Sequence, residues 1–145
     1  MAFRSSSTPV RVLVVDDNLL AAQAFERWFG TRSDFVFAGW AADAQSAVAR
    51  AGDKAPDVVL LDLEMPGVDT LGLIPQLLVA CPTVRIVMLS GYCRASDISR
   101  SLDAGAFGYI TKDEPTSVIA DLISRAAAGE CVLSPSAERS FMAGA

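Results

Sequence analysis

Apolar residues collect in five short runs along the chain, at 10–15, 35–40, 58–61, 86–89 and 108–110. Runs such as VVLL lack the polar alternation of a half-exposed strand, so they predict strands buried on both faces. The segments between them switch to helical spacing. Asn18 is placed to cap a first helix ending at Gly30, with Leu20, Ala24 and Trp28 in one apolar row and Ala21, Phe25 and Phe29 in the next. Gln23, Glu26 and Arg27 take the opposite side. Asp43 caps a second helix that carries Ala44, Ala47, Val48 and Ala51 and stops before Gly52. A third covers about 71–80, where Pro75 must sit in the first turn or bend the helix. A fourth, about 95–104, is mostly polar, with Ile98 and Leu102 as inward anchors. The fifth begins near Ser117, presents Val118, Ile119, Leu122, Ile123 and Ala126, and ends at Gly129.

Strands alternating with helices in this way predict an α/β fold, a parallel sheet covered by helices on both faces. The chain of 145 residues is long enough for one core. We read residues 1–9 as a flexible tail, 10–129 as the domain, and 130–145 as an extension or linker remnant, with room for a short extension or one more turn of helix but not for a second domain.

Composition narrows the chemistry. The formal net charge of −5 makes the chain by itself a poor partner for nucleic acid or an anionic membrane. The opening MAFRSSSTP has no apolar signal core, so a cytoplasmic protein is expected. Three cysteines without a C-x-x-C favour neither a disulfide framework nor a zinc site, and Cys93 is assigned no role. Histidine is absent, which removes imidazole bases and most zinc chemistry. What remains is carboxylates, lysine, hydroxyls and an oxygen-seeking cation.

In open α/β sheets ligands bind beyond the carboxyl ends of the strands. Here the first run ends in Asp16 and Asp17, the third in Asp62, the fourth in Ser90 and the fifth in Thr111 and Lys112. Carboxylates within about 4–6 Å disfavour one another's ionisation. A hard divalent cation relieves that repulsion, and Mg²⁺ suits such a donor set best. Lys112 can meet a phosphoryl oxygen, Ser90 can donate a hydrogen bond, and an aspartate can attack phosphorus. Taken singly, each feature has a plainer reading: Asp16 and Asp17 as helix caps, Lys112 as a solvated lysine, Ser90 as a turn residue, Tyr109 as a half-buried strand aromatic. Their joint placement at successive strand ends carries the weight.

The stretches VLVVDDN, LLDLEMPG, IVMLSGY and DAGAFGYITKD, in that order, resemble the receiver domain of bacterial two-component response regulators over about residues 11–128. The resemblance implies a flavodoxin-like doubly wound (βα)5 fold with a five-stranded parallel sheet in the order 2-1-3-4-5. It implies Asp62 as phosphoacceptor, Asp17 as a direct ligand of Mg²⁺ (or Mn²⁺), Asp16 as holder of metal-bound water, and the Glu64 carbonyl as a third protein ligand. Ser90 becomes the switch hydroxyl with room beside it at Gly91, Tyr109 the aromatic that follows it, and Lys112 the phosphoryl-binding lysine. Glu64 and Tyr92 occupy variable positions at the rim, where they are expected to set the lifetime of the acyl phosphate. Two departures stand out: Thr70 replaces a frequent glycine at the entry to the third helix, and Asp113 replaces a frequent proline, putting a cis bond there in question.

The resemblance also implies partners: a sensor histidine kinase, and a homodimer through the fourth helix, fifth strand and fifth helix or through the first and fifth helices. Asp121, Ser124 and Arg125 are expected to point outward on that output face. The ending AAAGECVLSP is similar to the junction of NarL-type regulators, so DNA would be reached only through a helix-turn-helix domain absent from this chain. Three alternatives stand beside this: a stand-alone receiver acting by protein contacts, a docking module that is never phosphorylated, and an Mg²⁺-dependent Asp-nucleophile phosphohydrolase. The last usually has a second aspartate two residues after the nucleophile, where this chain has Glu64. The expected character is therefore a switch that catalyses only its own phosphorylation and dephosphorylation.

Overall fold

A computed structural model of the chain describes residues 8–144. Most of the stretch read as a tail, residues 1–7, lies outside the described residues. The elements alternate as β1 (Val10–Val15), α1 (Leu19–Gly30), β2 (Phe35–Ala41), α2 (Ala44–Lys54), β3 (Val58–Asp62), α3 (Thr70–Ala80), β4 (Arg85–Ser90), α4 (Ala95–Asp103), β5 (Gly108–Thr111), α5 (Thr116–Ala127), β6 (Val132–Leu133) and α6 (Pro135–Ala143). All strand pairs are parallel, in the order β2-β1-β3-β4-β5-β6. The flavodoxin-like order 2-1-3-4-5 is present with one short strand added at its edge.

Side chains of successive strand residues point to opposite faces, which divides the core in two. On one face Leu13, Val15, Val59, Leu61, Ile86, Met88 and Tyr109 pack with Leu73 and Leu77 of α3, Ile98 of α4 and Ala137 of α6. On the other, Val12, Val14, Leu60, Val87 and Ile110 meet Phe29 of α1 and Ile119, Leu122, Ile123 and Ala126 of α5. β3 is buried at every position through Asp62, as an apolar run with helices on both sides requires. Gly39, at φ +136°, absorbs the register shift where β2 carries one extra residue against β1.

Several boundaries differ from the sequence expectation for physical reasons. α2 runs through Gly52 to Lys54 and stops at Ala55, in the left-handed region at φ 46° before Pro56. Gly52 is instead a packing position, where an added Cβ would lie 3.7 Å from the Ala80 carbonyl. Pro75 sits inside α3 rather than in its first turn. In α1 the row of Leu20, Ala24 and Trp28 faces inward only at Trp28; Leu20 is 76% exposed, while Ala22 and Phe29 are buried. Asp113 brings no cis bond, and there is none among the described residues.

Residues 130–145 hold more than a turn of helix. Val132 donates its N–H to the Phe107 carbonyl at 2.9 Å and Ser134 donates to Tyr109 at 3.0 Å, closing β6 onto β5. The approach needs Gly108, because a Cβ there would meet Val132 Cγ2 at 2.6 Å and the Val132 carbonyl oxygen at 2.9 Å. α6 then packs against α4 with Ala137 fully buried. Among the described residues no helix is long and apolar enough to cross a membrane.

Candidate functional site

Parallel pairing in register brings the strand ends to one rim. β1 delivers Asp16, which is buried, and Asp17, which is exposed; β3 delivers Asp62, only 4% exposed. Carboxylate oxygens of these three residues lie within 4.8 Å of one another. Asn18, not either aspartate, caps α1 by accepting from the Ala21 N–H, and Asp16 Oδ1 accepts from the Asn18 N–H at 2.9 Å. The capping explanation therefore accounts for Asn18 and leaves the aspartates directed to the rim.

Asp62 Oδ1 receives two donors, Lys112 Nζ at 2.9 Å and the Glu64 N–H at 3.1 Å. Burial pushes the Asp62 carboxyl above its ordinary value; the charge of Asp16 adds to this, and the bonds from Lys112 and Glu64 offset it only in part. For Lys112 burial acts downward, but the hydrogen bond and charge of Asp62, with the charges of Asp16 and Glu64, carry the ammonium above its ordinary value. The Asp62 shift is thus chiefly a burial effect to which Asp16 adds, whereas the Lys112 shift reflects the carboxylates gathered around a single cation.

A second group lies at the end of β4. The Ser90 hydroxyl, fully buried, donates to Glu64 Oε2 at 2.7 Å, and the Gly91 N–H donates to Glu64 Oε1 at 2.8 Å. The Tyr92 N–H donates to Ser90 Oγ at 3.0 Å, and the Tyr109 hydroxyl donates to the Tyr92 carbonyl at 2.7 Å. Tyr109 is fully buried rather than half-buried, and burial pushes its phenol up to about 12. Tyr92 is 54% exposed, with the Arg94 guanidinium 4.6 Å from its ring centre. An added Cβ at Gly91 would approach only Glu64 Oε1, at 3.7 Å.

Other residues support the rim in ways that their place in the sequence does not reveal. The Trp40 indole N–H donates to the Asp16 carbonyl at 2.6 Å. The Thr70 hydroxyl donates to the Leu63 carbonyl at 3.1 Å, so this residue ties the start of α3 to the position after Asp62. Behind Lys112, the Thr111 N–H donates to Ser134 Oγ at 3.1 Å, and Glu114 Oε1 accepts from the Ser136 N–H at 3.4 Å. Ser140 of α6 approaches Cys93 with Oγ to Sγ at 3.4 Å. No sequence spacing announces these contacts, since each joins separate elements. Between α1 and α5 a groove of about 330 Å³, bounded by Ala21, Phe25, Trp28 and Ile119, opens beside Asp16 and Lys112.

The donor set tests the implied metal. Oxygen ligands from Asp16, Asp17 and Asp62, two of them buried, fit a hard divalent cation that relieves their repulsion, whereas zinc or copper would want imidazole or thiolate.

Comparison with known proteins agrees with this geometry. The family model for the response regulator receiver domain matches residues 12–124. The response regulator protein VraR of Staphylococcus aureus is 31% identical over 126 residues, covering 87% of this chain and 60% of VraR. The chain thus spans 60% of the length of that curated relative. The signal receiver domain of the putative response regulator NarL from Mycobacterium tuberculosis superposes with a TM-score of 0.76 at 27% identity, over 84% of this chain and 98% of that one. A two-component response regulator of the LuxR family from Aurantimonas shares the fold at a TM-score of 0.88 and 23% identity, covering 94% and 98%.

Proposed function

The chain belongs to the response regulator receiver domain family, and on that premise we propose that it is a phosphorylatable switch in which Asp62 accepts a phosphoryl group from a sensor histidine kinase. The observation that carries this reading is the buried Asp62 carboxylate held at 2.9 Å by Lys112 beside two further aspartates. Families of this kind signal rather than turn over metabolites. The chain contains no histidine, so the phosphohistidine donor lies outside it.

In the proposed step Asp62 attacks phosphorus, an O–P bond forms, and the P–N bond to the donor imidazole breaks with its electron pair leaving on nitrogen. Asp17, Asp62 and the Glu64 carbonyl, with Asp16 contributing through water, would hold Mg²⁺ or Mn²⁺, which would neutralise the acidic rim and the transferring group. Lys112 follows the phosphoryl oxygens as a point charge. Ser90 and the Gly91 N–H donate to the same group, and the bond from Tyr92 to Ser90 passes their movement to Tyr109. Catalysis here is positioning and charge neutralisation. Because those contacts exist only with the phosphoryl group in place, they shift the population of the β4–α4 loop and α4 by their differential free energy.

The receiver unit is proposed as residues 10–129, with 130–145 docked on it. A homodimer through α4, β5 and α5 would have to incorporate α6, which packs on α4. The open groove between α1 and α5 therefore favours the α1–α5 alternative. Transcriptional output through a helix-turn-helix domain is proposed, in keeping with the likeness to a NarL receiver domain.

The test is intact mass after incubation with acetyl phosphate and Mg²⁺, for wild type and Asp62→Asn. A single phosphoryl adduct that requires Mg²⁺ and is lost in the variant is expected. A folded protein that takes up no phosphoryl group would make this a docking module instead. For the rim, Tyr92→Ala is expected to shorten the lifetime of the adduct by admitting water; an unchanged dephosphorylation rate would remove Tyr92 from that role.

A further inference from the structure

Glu64 makes the least expected contacts of the site. Its side chain leaves the end of β3, crosses to β4 and gives one carboxylate oxygen to each of two donors, the Ser90 hydroxyl at 2.7 Å and the Gly91 N–H at 2.8 Å. These are the two donors that the proposed function assigns to the phosphoryl group. A carboxylate and a phosphoryl group share negative charge and outward acceptor oxygens, so one can stand in the place of the other. From Ser90 the bonds continue without a break: the Tyr92 N–H to Ser90 Oγ, then the Tyr109 hydroxyl to the Tyr92 carbonyl. The buried arrangement of Tyr109 is thus tied at its far end to the Glu64 carboxylate.

Charge makes the contact consequential. Asp16, Asp17, Asp62 and Glu64 bring four carboxylates to the rim against the single ammonium of Lys112, and that ammonium is already engaged by Asp62. An anionic phosphodonor approaching Asp62 therefore meets both repulsion and an occupied set of donors. Glu64 itself is half-buried and lies beyond the last residue of β3, so its side chain is free of the sheet's own bonding.

We propose that Glu64 is a resident anion of the switch: it occupies the Ser90 and Gly91 donors before phosphorylation, holds Ser90 and Tyr109 in their inward bonded arrangement, and must be displaced for the phosphoryl group on Asp62 to take those donors. This rests on the reading of Asp62 as phosphoacceptor. Glu64 is accordingly a positioning residue whose carboxylate competes with the incoming group.

The experiment compares wild type, Glu64→Ala and Glu64→Gln in two measurements. The first is the initial rate of adduct formation against acetyl phosphate concentration with Mg²⁺, read by intact mass. Removing one like charge and freeing both donors is expected to raise the rate at low donor concentration by roughly three- to tenfold, chiefly through a lower half-saturating concentration. Glu64→Gln, uncharged but nearly isosteric, should show a similar gain. The second is amide exchange of Gly91 and Tyr92 by NMR in metal-free protein. Exchange should quicken in Glu64→Ala, which has no acceptor, and quicken less in Glu64→Gln, which keeps one. Rates within twofold of wild type in both variants would overturn the proposal, even if exchange quickened, because Glu64 would then only brace the loop. Unchanged exchange in Glu64→Ala would also overturn it. If wild type forms no Mg²⁺-dependent adduct, or Asp62→Asn keeps it, the phosphoacceptor reading fails first and takes this proposal with it.

Discussion

Ser134→Ala isolates the contact by which the C-terminal segment holds the strand next to Lys112. Ser134 is fully buried, and its hydroxyl oxygen is the acceptor for the Thr111 N–H at 3.1 Å, with Thr111 Oγ1 at 3.3 Å. That N–H points from β5 toward β6, where the two-residue strand has already ended and cannot supply a ladder carbonyl. Truncation to alanine removes the hydrogen bond and leaves a buried backbone donor without an acceptor, a loss of about 1–3 kcal/mol. For a domain of this size that lowers Tm by roughly 3–10 °C. The assay is urea unfolding followed by circular dichroism, with Ser136→Ala as control. The Ser136 hydroxyl accepts only an exposed bond from Arg139, at 3.3 Å, so its removal should cost less than about 0.5 kcal/mol. Equal stability of the two variants would refute the reasoning, because Thr111 would then have another acceptor and Ser134 no part in docking the segment.

Three further outcomes follow from the same geometry. Without divalent cation, Asp62→Asn should raise Tm by roughly 2–4 °C, because it removes a charge that burial and Asp16 disfavour, while Lys112→Met should lower it; in calorimetry, a lower Tm for Asp62→Asn or a higher one for Lys112→Met would contradict this. Tyr109, pushed up to about 12, keeps its proton in the fold after an unfolded tyrosine has lost it near 10, so the fold binds more protons over that interval. Stability should therefore fall between pH 10 and 12 by about 2–3 kcal/mol, and denaturant midpoints for Tyr109→Phe that fall equally would assign the loss elsewhere. In a Cys131→Ser background, Ser140→Cys should cross-link to Cys93 under mild oxidation, since the present Oγ to Sγ distance is 3.4 Å; failure to form the bond would show that α6 does not rest on the β4–α4 loop.

How far the sequence reaches is itself a physical matter. The five main strands were readable because a parallel sheet with helices on both sides must be built from unbroken apolar runs. The acidic rim was readable because a charge ending such a run, as Asp62 ends VVLL, needs something to compensate it. Helix ends were readable where a side chain caps locally, as Asn18 and Asp43 do, or where a glycine takes up the left-handed backbone after the last turn, as Gly129 does at φ 99°. β6 escaped notice because two residues carry no periodicity; the glycine that admits it, Gly108, reads as an ordinary strand residue until Val132 is seen against it. The inward side of α1 was misjudged at Leu20 because spacing alone does not say where the sheet ends beneath a helix.

Within the site the boundary falls between residue type and residue contact. Asp16, Asp17, Asp62, Ser90 and Lys112 belong together because topology alone brings strand ends to one rim, whatever their rotamers. Glu64 shows where that logic stops. Its position after Asp62 was expected to place a backbone carbonyl toward a metal and a side chain at the rim, which is a statement about the chain's path. That its carboxylate reaches Ser90, 26 residues away, depends on the loop between β3 and α3 and on the Ser90 rotamer, neither of which leaves a pattern in composition or spacing. The chemistry follows from this contact. A rim whose donors stood free would accept any anion that reached it, whereas a rim already holding a carboxylate accepts only one that competes at the same two hydrogen bonds while bonded to Asp62. On the proposed reading, selectivity for a covalent phosphoryl group over free anions would arise from the fold's own acid.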